Sequence, residues 1–180
     1  MPLAMQFGSQ VSGGRIIKDF MSLFDLAPTF LEVAGVKAPS AMTGRSFLPM
    51  LQSGKSGCIY PQREHVLTGK ERHAPAQADL KSGYPCRAIC THDFLYIRNF
   101  EPDLWLVGYE KHPYNDWMDI DNSPTKTYMI EHRNASNVRE SFAHSFGKRH
   151  AEELYDLKND PQQMHNVADD PAFTAEMKKL

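Results

Sequence analysis

The strongest constraint on the fold is a pair of strand-like runs separated by two residues. Residues 85–91 and 94–100 are rich in apolar, aromatic and β-branched side chains, and only His92 and Asp93 lie between them. A connection of two residues typically joins neighbouring antiparallel strands. The sequence therefore predicts a hairpin that belongs to an antiparallel sheet.

The clearest helix lies near the N-terminal end. Asp25 is a good N-cap, Pro28 falls in the first turn, where its missing N–H is harmless, and Gly35 supplies a C-terminal stop. Residues 3–7 form a short apolar run before it, which we interpret as the end of a buried strand. The apolar stripe of the helix consists of Leu26, Phe30, Leu31, Val33 and Ala34.

These patterns divide the chain into two parts. Residues 1–57 are interpreted as the tail of an α/β domain, a strand plus a helix. Residues 58–180 are interpreted as an α+β subdomain with a small antiparallel sheet and a C-terminal helix. Besides the hairpin, the elements expected there are strands at 65–68 and 152–157 and helices that begin at Ser123-Pro124 and Asp170-Pro171.

Composition argues against two classes of partner. The formal net charge is -2 and the basic residues are scattered, so the chain has no basic face for nucleic acid. No apolar run approaches the roughly 20 residues of a membrane-spanning helix.

The three cysteines cannot all pair within the chain, and the eight histidines show no metal-ligand spacing. We therefore expect free thiols and no metal site in this chain.

A polar turn is the best candidate for a functional site. Lys70, Glu71, Arg72 and His73 follow a predicted strand and place cations, an anion and an imidazole close together. Arg and His suit sulfated or carboxylated sugars, whereas Glu suits hydroxyl or amino groups. Arg87, on a neighbouring strand, is a further candidate for ligand contact. The alternative is that these residues form a solvated polar turn.

Two other features have structural alternatives. Asp119 begins a segment similar to the start of a calcium loop, but the Gly and later Glu that such loops require are not in place. A turn with a helix cap is the favoured interpretation. The aromatic residues between 101 and 122 either stack on sugar rings or pin this excursion to the protein body. They are Trp105, Tyr109, Tyr114 and Trp117.

Four phrases, in order along the chain, resemble the sulfatase family. FDLAPTFLEVAGV at 24–36 resembles the helix that follows the last catalytic residues of those enzymes, and MTGRSFLPML at 42–51 resembles the next segment. The hairpin at 84–99 and ELYDLKNDP at 153–161 resemble the C-terminal part of the family. The similarity is greatest to the branch that includes heparan N-sulfatase (N-sulfoglucosamine sulfohydrolase).

The resemblance implies a fold, a reaction and cofactors. It implies an alkaline-phosphatase-like α/β domain that hydrolyses sulfate esters or N-sulfates of glycans, including glycosaminoglycans, in a periplasmic or secreted location. Sulfatases use a formylglycine made from Cys or Ser in a Cys/Ser-x-Pro-x-Arg motif, together with a divalent cation, usually calcium. The nearest match here, from Cys58 to Arg63, has one residue too many before the proline, so we interpret it as a chance similarity.

The resemblance thus suggests a C-terminal portion without a catalytic centre. Calcium and formylglycine are expected in a missing N-terminal half. That half is also the expected partner of this chain, and it is expected to cover an apolar surface on residues 1–57. The chain alone is expected to be inactive, with a sulfated glycan as the substrate of the whole enzyme. The alternatives are a non-catalytic module that binds sulfated glycans or a protein partner, and another hydrolase of the alkaline phosphatase superfamily.

Overall fold

The computed structural model describes residues 3–180, which form two compact units. The first unit ends at Val66 and the second comprises Leu67–Leu180. The domain division after residue 57 stays a prediction. Within residues 3–180, no helix is long and apolar enough to cross a membrane.

The first unit contains the predicted helix. A 3-10 turn, Leu23–Asp25, leads into α1, Leu26–Val33. The capping side chain is that of Ser22, three residues before the predicted cap, because its hydroxyl accepts from the Phe24 N–H while the Asp25 carboxylate accepts from the Ser22 N–H. Gly35 adopts a φ of 70° after the helix, as its role as a stop requires.

Asp25 is instead the centre of a buried ion pair. Its carboxylate accepts from Arg63 Nη1 at 2.7 Å and from the Arg45 N–H at 2.8 Å. Arg63 also donates to the carbonyl groups of Phe20, Arg45 and Ser46. The arginine of the motif-like segment at 58–63 is therefore a structural anchor. Through Ser46, Arg63 contacts the segment that leads into α2, Leu48–Gln52, whose Leu48 and Met50 are buried.

Two sequence expectations for this unit had different outcomes. Residues 3–7, predicted as a strand end, form no strand; Phe7 makes one isolated bridge to Ser9. A strand needs a paired neighbour for its backbone groups, and the described part of this unit places none beside this segment. The expected apolar surface is confirmed, since several large side chains of this unit are exposed: Leu23, Phe24, Phe30, Val33 and Val36.

A four-stranded sheet in the order β1-β2-β3-β4 organises the second unit. The predicted hairpin is confirmed, because Cys86 pairs with Asn99 and Cys90 with Leu95 in an antiparallel register. β4 adds to β3 antiparallel, with Arg98 opposite Glu152. The strands are β1, His65–Lys70; β2, Cys86–Thr91; β3, Phe94–Asn99; and β4, Glu152–Asp156.

Two helical segments of this unit begin where the sequence predicts, whereas a third helix, between them, was not predicted. Ser123 accepts from the Lys126 N–H at the start of α3, and Asp170 accepts from the Ala172 N–H at the start of the final helical segment. The elements are α3, Pro124–Glu131; α4, Arg139–Phe146; a 3-10 turn, Pro171–Phe173; and α5, Thr174–Met177. All three cysteines are free thiols.

A buried carboxylate holds β4 in place. Glu153 is 2% exposed. It accepts from Arg149 Nη2 at 2.5 Å, from the Tyr155 hydroxyl at 2.5 Å and from Asn99 Nδ2 at 2.8 Å. Burial raises the pKa of Glu153, but these hydrogen bonds and the charge of Arg149 outweigh it, so the pKa lies below its ordinary value of 4.5. Because the folded-state pKa is depressed, this carboxylate stabilises the fold above about pH 4.5 and the contribution disappears as the pH falls through the folded pKa.

Removing the guanidinium of Arg149 tests this network. We expect Arg149→Met to lower the free energy of unfolding by about 3 kcal/mol, because the change leaves a buried carboxylate without its cation. Urea unfolding at pH 7 measures the loss. The acid unfolding midpoint should also move to higher pH, because the pKa of Glu153 rises. Arg139→Met, which removes an exposed guanidinium bonded to one carbonyl, is the control and should cost about 0.5 kcal/mol or less. Equal losses in the two variants would contradict the proposed role.

Candidate functional site

The excursion between β3 and α3 is anchored by aromatic packing. Trp117 is 2% exposed, and its ring meets the rings of Phe142 and Phe146 on α4 edge-on at 5.6 and 5.2 Å. The pinning alternative is therefore correct for Trp117. Tyr114, in contrast, is 77% exposed.

Lys126 fills the centre of the loop that resembles the start of a calcium site. Its buried ammonium donates to the carbonyl groups of Ile120 at 2.8 Å and Trp117 at 3.1 Å, and to the side-chain oxygens of Asn115 and Asn122. Burial lowers the pKa of Lys126, and the nearby carboxylates of Asp116 and Asp121 oppose that shift. No group of three or more His, Cys, Asp or Glu side chains that could hold a metal occurs within residues 3–180. A lysine thus provides the positive charge for this loop.

The same excursion holds the polar turn that follows β1. The strand extends to Lys70, two residues beyond the predicted end. Lys70 Nζ donates at 2.9 Å both to Asp119 Oδ2 and to the carbonyl oxygen of Leu106. The Asp119 side chain is 9% exposed, so this ion pair is largely shielded from water. Lys70 therefore connects β1 with the excursion.

Asp119 also orients His73. His73 Nδ1 lies 3.3 Å from Asp119 Oδ1, and a carboxylate accepts, so Nδ1 carries the proton. The side chain of His73 is 72% exposed, which leaves Nε2 available to an external group. Sequence analysis missed this role of Asp119, because the two residues are 46 positions apart and no local pattern connects them.

Glu71 and Arg87 form the other ion pair of the turn. Glu71 Oε1 accepts from Arg87 Nη2, and the two side chains are 67% and 55% exposed. Arg87 Nη1 donates to the carbonyl oxygen of Cys86 at 2.8 Å. The sequence-predicted residue on β2 is thus in direct contact with the turn.

Arg72 differs from the other cations of the cluster. Its Nη2 donates to the carbonyl oxygen of Leu80 at 3.2 Å, and no carboxylate within residues 3–180 pairs with it. Gly83 packs beneath it, because a Cβ at that position would lie 2.3 Å from the Glu71 carbonyl oxygen and 3.0 Å from Arg72 Cβ. The structure therefore brings all five predicted site residues into one cluster: Lys70, Glu71, Arg72, His73 and Arg87.

Asp119 can be tested as the residue that fixes the turn. We expect Asp119→Ala to accelerate backbone hydrogen exchange in residues 70–73 by about tenfold or more, because Lys70 and His73 lose their shared partner. Mass spectrometry of peptides that cover the turn measures the change. Asp103→Ala removes an exposed carboxylate of the same excursion and is the control. Unchanged exchange in Asp119→Ala would show that the turn is held by other contacts.

Comparisons with known proteins identify relatives of this chain. A sequence model described as "N-sulphoglucosamine sulphohydrolase, C-terminal" matches residues 1–107. An ulvan-active sulfatase of Formosa agariphila is 29% identical over 100% of this chain and 31% of that protein. The human N-sulphoglucosamine sulphohydrolase is 26% identical over 93% of this chain and 32% of that protein. The chain thus spans about a third of the length of these relatives.

A solved structure supports the fold. It was determined in complex with its substrate, D-glucosamine-2-N,6-O-disulfate, and superposes with a TM-score of 0.50 at 22% identity, covering 87% of this chain and 21% of that chain. The sulfatase resemblance and the fold expected from it are confirmed. With more than half of its length matched by the family model, the chain belongs to the sulfatase family, in the part that corresponds to the C-terminal region of N-sulphoglucosamine sulphohydrolases.

Proposed function

We propose that the chain is the C-terminal portion of a glycan sulfatase and that its polar turn forms one wall of the substrate site. The observation that carries the proposal is the exposed guanidinium of Arg72, which lacks a carboxylate partner within residues 3–180 and stands beside the outward-facing imidazole of His73. Relatives named for ulvan and N-sulphoglucosamine support a sulfated glycan as the substrate class.

The chemistry of the cluster suits a sulfate or carboxylate group. A guanidinium presents several N–H donors in one plane, and charge-assisted hydrogen bonds to oxyanions are stronger than neutral ones. His73 adds Nε2 as a further donor when it is protonated. Asp119 and Gly83 hold the turn still, so less conformational entropy is lost when a ligand binds. Arg72 and His73 are the proposed direct contacts, with Lys70, Glu71 and Arg87 completing the surface.

The residues of this chain do not fit the catalytic cofactors of the family. No Cys/Ser-x-Pro-x-Arg motif occurs in the sequence, and Arg63 of the nearest match is buried against Asp25. Residues 3–180 contain no cluster of metal-ligating side chains. We therefore assign formylglycine and calcium to an N-terminal half of the enzyme and no catalytic residue to this chain.

The first unit has a surface suited to that N-terminal half. Large apolar side chains are exposed in and just before α1. The exposed fraction is 64% for Leu23, 70% for Phe24 and 57% for Phe30. Several large apolar side chains exposed within the short segment 23–30 favour a surface that a partner covers. Because the relatives are about three times as long as this chain, the remainder of a sulfatase is the proposed cover.

Whether turnover requires the N-terminal half of the enzyme can be measured directly. We expect the purified chain to show no turnover of a chromogenic aryl sulfate above the uncatalysed rate, with or without calcium, because binding groups alone do not supply a nucleophile. A full-length sulfatase assayed in parallel confirms the substrate and buffer. Turnover by the purified chain that survives repurification would contradict the assignment.

Glycan binding by the turn is the second test of this function. We expect Arg72→Ala to weaken binding of a fluorescent heparin-derived tetrasaccharide by about tenfold, the effect of one charge-assisted contact. Fluorescence anisotropy measures the dissociation constant. Arg133→Ala, which removes another exposed guanidinium of the second unit, is the matched control. Equal weakening by both variants would indicate general charge attraction and would count against the turn as a specific site.

A further inference from the structure

The guanidinium of Arg87 is held in a fixed place on the sheet. Its Nη1 donates to the Cys86 carbonyl oxygen at 2.8 Å and lies 3.5 Å from the carbonyl oxygen of Lys70. The side chain crosses β1 at Gly69, where a Cβ would lie 2.9 Å from Arg87 Cδ and 3.0 Å from the Cys86 carbonyl oxygen. Glycine at this position therefore provides the space in which the arginine lies.

One edge of this guanidinium is thus bound to the backbone, and the other edge faces an anion. Nη2 on that outer edge donates to Glu71 Oε1. Both side chains of the pair are more than half exposed, at 55% and 67%. Exposed ion pairs contribute little net free energy, so water or another anion can replace the carboxylate at low cost. The Arg87 guanidinium therefore has the geometry of an oxyanion-binding position. In this structure the Glu71 carboxylate occupies it.

We propose that Arg87 is a second anion-binding position of the turn, occupied by the Glu71 carboxylate in the free chain and by a sulfate or carboxylate of the glycan in the complex. The inference rests on the function proposed above and extends it. A ligand that uses both positions carries one anionic group at Arg72 and His73 and another at Arg87. The favoured substrate class is therefore a glycan with at least two anionic groups, and Glu71 acts as an internal competitor.

Charge around Arg87 supports this assignment. Lys70 is paired with Asp119, whose carboxylate is largely shielded, so Asp119 is not free to approach Arg87. Arg72, the residue after Glu71, has no carboxylate partner among the described residues. It adds a further positive charge to the turn. When an anion displaces Glu71, the released carboxylate rotates into solvent, because it makes no other hydrogen bond within residues 3–180.

A double-mutant cycle with the heparin-derived tetrasaccharide tests the competition. We expect Glu71→Gln to tighten binding about two- to fivefold, the range that a weak exposed ion pair allows. Arg87→Met should weaken binding, and Glu71→Gln should have no further effect in the Arg87→Met background. Glu131→Gln, an identical change at an exposed site on α3, is the control and should leave affinity unchanged.

Two outcomes of the cycle would overturn the inference. Weaker binding in Glu71→Gln would show that Glu71 itself contacts the sugar. Equal tightening in the presence and absence of Arg87 would show that only the overall charge matters. The ion pair is exposed, so equal unfolding midpoints are expected for all variants, and affinities are compared only after that check.

A titration with simple anions separates this inference from the function on which it rests. Sodium sulfate and sodium glucuronate, each against sodium chloride of equal ionic strength, should shift the Arg87 Nε–H signal in ¹⁵N-correlated NMR spectra, and more strongly in Glu71→Gln. The stronger of the two responses identifies which anionic group the position prefers. Failure of the tetrasaccharide to bind, with the Arg87 shift retained, would reject the glycan function but keep the anion position. Absence of the shift with both salts would reject the position itself.

Discussion

The buried carboxylate of Glu153 is the interaction on which the second unit depends. It lies on the last strand of the sheet, and its donors come from β3, from β4 itself and from the segment before β4. A buried charge is costly unless it is fully paired, so these donors must assemble together. The first unit uses the same device, in which Asp25 gathers Arg63 and the Arg45 N–H across sequence separations of 38 and 20 residues. In each unit, a buried carboxylate thereby joins segments that lie far apart in the sequence.

Asp119 applies the same principle nearer the surface, and there it serves the candidate site. Its carboxylate is shielded, yet its partner His73 is largely exposed. A shielded anion holds its partners more firmly than a solvated one, because less solvent screens the interaction. The excursion that carries Asp119 is itself anchored by Trp117 and by Lys126. Asp119 thus connects the turn to an excursion that packs on the aromatic side chains of α4.

Features that depend on neighbours in the chain were predictable from the sequence. The hairpin and the helix starts at Ser123 and Asp170 follow from short patterns, and the structure confirms them. Residues 70–73 were selected for their charge and position after a strand, and Arg87 as an arginine within a strand; all five lie in one cluster. The partners of these residues were not predictable, since Lys70 finds Asp119 across 49 positions. Residues 3–7 were predicted wrongly because a strand depends on a neighbour that the run itself does not specify.

The pairing of charges ranks the cations of the turn by their availability to a ligand. Lys70 is bound to a shielded carboxylate and is the least available. Arg87 is bound to an exposed carboxylate that can exchange, and Arg72 has only a carbonyl oxygen as partner among the described residues. In the binding mode proposed above, one anionic group therefore binds Arg72, and a second replaces Glu71 at Arg87. This order of availability is the basis of the selectivity proposed above for multiply charged glycans over singly charged ones.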